Sequence, residues 1–363
     1  FLLTTSFGIG SAYFVRDLWK IKNIDLSIAV DIIFLYLATF LIIYIFLKKI
    51  LPDVRLLRPK PLNNSGLILL GIGWLISVFL FVRQGVETEY LTERVSIPFS
   101  NLFLILLIIY PINLLRSGFN IFSYIVLLTT ILTLALLQVR INLLLLMISF
   151  GFAWSSSNGH VKSLKLFFII FLASIIMMLI TFSRFSDDSV TDLLSLIVKI
   201  FASFGSEFRD GIFFHDRFTD NDIRTAKNYY FINYFTFFPG WSYIIPIDAS
   251  DLRNAQLNTI LSKDLGLFDS GVSGIRVGLL WEHYVFFGYL GIILTGIFSA
   301  LICFLCEYFY KSHFYELAGI CCCAMIYVFV GYPLFLVSNF GQQIFFCLFV
   351  LGLLEIMKHV KRN

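Results

Sequence analysis

Glu282 and His283 stand side by side in the stretch SGVSGIRVGLLWEHYVFFGYLG (residues 270–291), shortly after Arg276 and immediately before Tyr284. A carboxylate or imidazole within hydrogen-bond reach of a hydroxyl can take its proton, and an arginine fork can hold an oxyanion through paired N–H bonds. On a helix beginning near Ile275, Arg276 shares a side with Leu279 or Leu280 and with His283, and Glu282 lies within two turns of it. Adjacent helical residues point about 100° apart, so one of Glu282 and His283 faces a reacting hydroxyl while the other orients or packs. A charge at the mouth of a membrane span can simply snorkel. Two adjacent ionisable groups entering an apolar helix more often mark function.

A second group of polar residues lies in SEFRDG (206–211), where Glu207, Arg209 and Asp210 follow a segment, Val190 to Phe204, whose polar positions recur every three or four residues. That spacing predicts an amphipathic helix lying in the membrane interface and ending at Gly205. Arg209 then serves either a local ion pair or the binding of an anion at the level of lipid phosphates. Next comes FFHDRFTDNDIR, in which alternating charges suit a solvated surface, with His215 or Arg217 reaching a substrate as the functional alternative. The run YYFINYFTFFPGWSY (229–243) is more than half aromatic. It fits an interfacial aromatic belt or a glycan groove, and Pro239, Gly240 and Pro246 break any continuous span through it.

All of these residues sit in a polar stretch, 183–284, that holds more than half of the chain's 23 acidic residues. Its net acidity excludes a nucleic-acid surface. The chain of 363 residues as a whole is nonetheless strongly apolar: 59% hydrophobic, 14% charged, with a mean hydropathy of +0.88. Soluble domains carry about 25% charged residues. Runs near the ~20 residues needed to cross a bilayer occur at 27–47, 65–82, 98–115, 120–138, 166–182, 285–309, 314–336 and 341–357, with shorter ones at 1–14 and 141–154. The expected fold is therefore an all-α polytopic integral membrane protein with about ten or more spans. It divides into an N-terminal bundle (1–182), a large external loop (183–284) and three C-terminal spans with a tail (285–363). Phe1 lies inside an apolar run, so the first span is expected to be incomplete.

Short-loop charges set the orientation. Lys48, Lys49, Arg55, Arg58, Lys60, Arg116, Lys162, Lys165, Lys311, Lys358, Lys361 and Arg362 fall on one side of the alternating spans, about twice the number on the other. The positive-inside rule makes that side cytoplasmic and the 183–284 loop external. All six cysteines lie within predicted spans, as small apolar residues. No CxxC or HExxH spacing occurs outside the predicted spans, and Cys303 and Cys306 stand a helical turn apart within one; with no Walker loop or dinucleotide fingerprint either, neither metal nor other cofactor is expected.

The closing G-V-S-G-I-R-x-G-x-x-x-E-x-Y-x-x-F-G-Y-x-G pattern of residues 271–291, the internal SEFRDG and the large late loop before three spans together resemble the Wzy-type O-antigen polymerases, which join oligosaccharide repeat units. The similarity is best over Gly271 to Gly291, weaker around Ser206 to Gly211, and only hydropathic over the spans. O-antigen ligases, which transfer polymer to the lipid A core, share the architecture. A lipid-linked oligosaccharide flippase or transporter would be expected to bury charges at mid-membrane, whereas Asp31, Glu307, Glu316 and Glu355 lie toward span ends.

The resemblance implies transfer of a growing glycan from one undecaprenyl diphosphate to a repeat unit on a second, at the periplasmic face of the bacterial inner membrane. The donor and acceptor lipids and the bilayer are the implied partners, and the resemblance admits a Wzz-type chain-length regulator; nucleic acid has no part. The implied reaction is inverting and metal-independent. Glu282, His283 and Arg276 are its expected catalytic groups, with Arg209, Glu207, Asp210, His215, Arg217 and Tyr284 binding substrate.

Overall fold

A computed structural model describes Ile9 and residues 26–51, 62, 64–87, 100–117, 121–136, 140–158, 206–239, 241–245, 247, 251, 256, 257, 259, 260, 277–330 and 336–360. The described elements are helical. They are α1 (Leu26–Ile50), α2 (Asn64–Glu87), α3 (Ser100–Ser117), α4 (Ile121–Leu136), α5 (Arg140–Asn158), α6 (Ser206–Phe214), α7 (Asp220–Phe235), α8 (Trp241–Ile244), α9 (Leu279–Phe287), α10 (Tyr289–Lys311), α11 (Tyr315–Val330), a π-helical turn (Leu336–Gly341) and α12 (Gln342–Val360).

Among the described residues, five stretches are long and apolar enough to cross a membrane: Leu26–Ile50, Asn64–Arg83, Ser100–Ser117, Tyr289–Lys311 and Asn339–Ile356. At 1.5 Å per residue, the 25 residues of α1 span roughly 37 Å, more than the ~30 Å hydrocarbon core. Shorter apolar helices fall at Ile121–Leu136, Asn142–Ser155 and Tyr315–Ile326, where spans are also expected. The outer faces of these helices are apolar: Phe34, Ile42, Ile68, Phe79, Ile121 and Leu128 are all more than half exposed. Water does not tolerate so much contiguous apolar surface, and lipid does. The described elements are all helical, and their long apolar helices are those of a multi-pass membrane protein. The expected spans at 1–14 and 166–182, and the expected interfacial helix at 190–204, lie outside the described residues.

The chain forms two compact units. One comprises residues 54–189, 305–323 and 342–363. Its centre is α3, whose Ile105, Leu107, Ile108, Ile109 and Ile112 are fully buried under α2, α4, α5 and α12. Two polar pairs lie within it: Trp74 Nε1 donates to Thr130 Oγ1 at 2.9 Å, and Asn113 Nδ2 donates to Glu316 Oε1 at 3.1 Å. Such pairing is what an apolar surrounding demands of polar groups.

The other unit, residues 1–53, 190–304 and 324–341, holds the polar loop helices α6 to α9 together with α1 and most of α10. Its main core joins Ala29, Ile32 and Tyr36 of α1 to Phe208, Ile212 and Phe213 of α6, Leu280 and Trp281 of α9 and Ile292 of α10. A smaller core joins Ala226 and Tyr230 of α7 to Leu257 and Phe286.

Candidate functional site

The nine residues of α9 begin at Leu279, not near Ile275, because Gly278 at the N-cap is extended (φ −67°, ψ 161°). Nor does α9 run on into the following span. Gly288 takes φ 60°, ψ −144°, a backbone region that side-chain-bearing residues avoid, and it breaks the chain between α9 and α10. After the break, the first turn of α10 folds back so closely that a Cβ on Gly291 would overlap the backbone carbonyl of His283. That approach is what lets His283 reach Thr295, twelve residues on, with Nδ1 to Oγ1 at 2.6 Å.

On one side α9 meets α6. A Cβ on Gly211 would overlap the indole of Trp281, so the glycine of SEFRDG is the point at which the two helices close. Phe208 and His215 flank the same indole, with centroids at 5.5 and 5.4 Å, and Tyr284 meets it edge-on at 6.0 Å. Among the described residues the Trp281 Nε1–H has no hydrogen-bond partner, although it is buried.

On the other side α9 meets α7. A capping box starts α7: the Thr219 hydroxyl accepts from the Asp222 N–H at 3.2 Å, while the Thr219 N–H donates to Asp222 Oδ2 at 2.9 Å. Much of the charge alternation at 216–224 is thus the start of a helix, with Asp222 committed to its cap. Two turns further on, the Tyr230 hydroxyl meets His283 Nε2 and lies 2.7 Å from the Tyr234 hydroxyl. The Tyr230 ring also packs edge-on against Phe286 and Phe287 at 5.1 and 5.5 Å.

Three consecutive side chains of α9 are therefore buried: Trp281 at 1%, Glu282 at 3% and His283 at 5% exposure. Removal from water disfavours charge on both ionisable groups. Burial pushes the Glu282 carboxyl up to about 8 and the His283 imidazole down to about 4. Both are thus mostly neutral at pH 7. The Tyr230 and Tyr234 hydroxyls, raised chiefly by their own burial, also feel the Glu282 charge. A carboxyl of this kind is well matched to proton transfer near neutrality, as acid or as base.

Comparison with protein-family models, with curated proteins and with solved structures gives no match to this chain.

The structure thus places Glu282, His283 and Tyr284 on α9, Arg209 and Asp210 on the adjoining α6, and His215 just past the end of α6. Arg209 pairs with its neighbour Asp210, with Nη2 to Oδ1 at 2.7 Å, and both are largely buried. His215 Nδ1 donates to the Ile212 carbonyl at 3.1 Å, which leaves Nε2 as the acceptor in the neutral ring. Arg217 is exposed, its guanidinium 5.7 Å from the centre of the Phe214 ring. Glu207 falls in the first turn of α6, and Arg276 lies outside the described residues. Sequence reasoning did not single out Tyr230, Tyr234 or Thr295. The one visible signal is the i, i+4 spacing of the two tyrosines, which places both on the same face of α7.

Proposed function

We propose that this chain polymerises lipid-diphosphate-linked oligosaccharide repeat units by glycosyl transfer at the outer face of the membrane. One observation carries the reading. The two segments on which the resemblance rests, SEFRDG and GLLWEHYVFFGYLG, lie far apart in sequence and pack together through Gly211 and Trp281, next to the buried Glu282. A carboxyl held near neutrality beside the end of an apolar helix is what an acceptor hydroxyl and a membrane-tethered donor both require.

The exposed face of α7 adds support. Asp220, Asn221, Arg224, Lys227 and Asn228 are exposed along its first half, while its second half and the turn after it expose Phe231, Phe235 and Phe238. The switch from polar to apolar occurs beside Tyr230, so the site sits at the depth where a lipid headgroup gives way to its tail.

In the proposed reaction the acceptor hydroxyl attacks the anomeric carbon of the donor glycan and gives up its proton to Glu282. The anomeric C–O bond breaks, and the lipid diphosphate leaves with the electron pair. Arg276 holds the departing charge, and Arg209 assists it from the α6 side. The test is a deletion strain: a single repeat unit on the lipid A core is expected, whereas bare core would make the chain a ligase.

A further inference from the structure

The Thr295 hydroxyl has one hydrogen, and it is committed to the Gly291 carbonyl of the preceding turn at 2.8 Å. A carbonyl can only accept. Thr295 Oγ1 must therefore accept from His283 Nδ1, 2.6 Å away, so Nδ1 carries the imidazole hydrogen and Nε2 is bare. Bare Nε2 accepts from the Tyr230 hydroxyl, whose oxygen is then free to accept from Tyr234 at 2.7 Å. With its hydrogen directed inward, whether to Tyr230 or to Nε2 at 3.5 Å, Tyr234 keeps an oxygen lone pair facing away from the chain. Tyr234 is also the partly exposed member of a set in which Tyr230 and His283 are buried.

We infer that Thr295, His283 and Tyr230 form a one-directional hydrogen-bond chain that makes Tyr234 a fixed acceptor for a hydroxyl of the incoming sugar. On this assignment His283 is a positioning residue and not the base. Its two nitrogens are both used in orienting the tyrosines, and proton removal falls to the neighbouring Glu282. The identity of the ligand rests on the glycan-transfer reading. The tautomer does not.

Nitrogen-15 NMR of the histidine-labelled protein, with His283 identified by loss of its signals in His283→Gln, reads the tautomer directly. Protonated Nδ1 and bare Nε2 are expected in the wild type and in Thr295→Ser, with movement toward the Nε2–H form in Thr295→Val. An Nε2–H ring in the wild type would overturn the network whatever the enzyme does. Using purified lipid-linked repeat units, Tyr234→Phe is expected to raise the acceptor KM by ~10-fold, the loss of one hydrogen bond, with kcat little changed. An unchanged KM would overturn the contact between Tyr234 and the sugar. Absence of any transfer by the wild-type protein would overturn the function and the ligand, leaving the NMR result to decide the network alone.

Discussion

Gly211 of α6 lies directly against the indole of Trp281 of α9, with no room for a methyl group between them. This contact fixes the two loop helices to each other and, through Trp281, fixes where the next residue, Glu282, is buried. Gly211→Ala should therefore cost about 1–3 kcal/mol, the range for overpacking a filled core. The temperature at which half the detergent-purified protein loses its monodisperse peak should fall. Pairing Gly211→Ala with Trp281→Phe should cost less than the sum of the two single changes. A Gly211→Ala protein with wild-type heat resistance would mean that α6 and α9 do not meet in this way.

Much of the helical framework was legible in the sequence. Hydropathy alone marks α1, α2, α3, α10 and α12, because a bilayer imposes length and apolarity on any helix that crosses it. That Glu282 and His283 stand side by side just before α10 was legible as well, because adjacency needs only the sequence. The break at Gly288 was not, since a glycine within an apolar run reads as helix unless its φ is known. Nor were Tyr230 and Tyr234, because a buried pair and an interfacial belt have the same aromatic composition. What separates them is a tertiary contact with a histidine 53 residues away.

Glu282 sets the expected pH dependence. With the carboxyl at about 8, a step that needs the carboxylate should rise with pH and level off above about 8, while His283, at about 4, stays neutral throughout. Among the described residues, the titratable groups from the packed helices that face this pair are Tyr230 and Tyr234, both raised by burial. Glu282→Gln should lower turnover by ~100-fold or more and flatten the profile. A Gln variant with near-normal turnover would remove this carboxyl from the mechanism.

Stability should follow the same groups with opposite signs. The folded Glu282 binds its proton more tightly than the unfolded chain does. Its contribution is fully present below about 4.5 and is lost as pH rises through about 8. His283 is depressed on folding, so its contribution is present above about 6.5 and is lost as pH falls through about 4. Glu282→Gln should therefore narrow the gap in heat resistance between neutral and alkaline buffer. An identical gap in both proteins would contradict the burial of a neutral carboxyl.

Arg276 should tolerate no substitution. Arg276→Lys keeps the charge and loses the paired N–H fork, so it should abolish polymer as completely as Arg276→Ala at unchanged protein abundance. Arg224→Ala, on the exposed polar half of α7, should leave polymer normal. Full activity in Arg276→Ala would show that another cation holds the leaving diphosphate.

Orientation is tested at Asn221, exposed near the start of α7. In a background with the six native cysteines replaced, Asn221→Cys should react with an impermeant thiol reagent added to intact spheroplasts. Labelling only after lysis would place α7 on the cytoplasmic side.

Glycan transfer between two lipid carriers can be watched in purified protein incubated with a single lipid-diphosphate-linked repeat unit. Gel separation of the products should give a ladder of lipid-linked polymers that is absent with Glu282→Gln. Unchanged single repeat units, with the wild-type protein folded and monodisperse, would mean that the chain does not transfer glycan between lipid carriers.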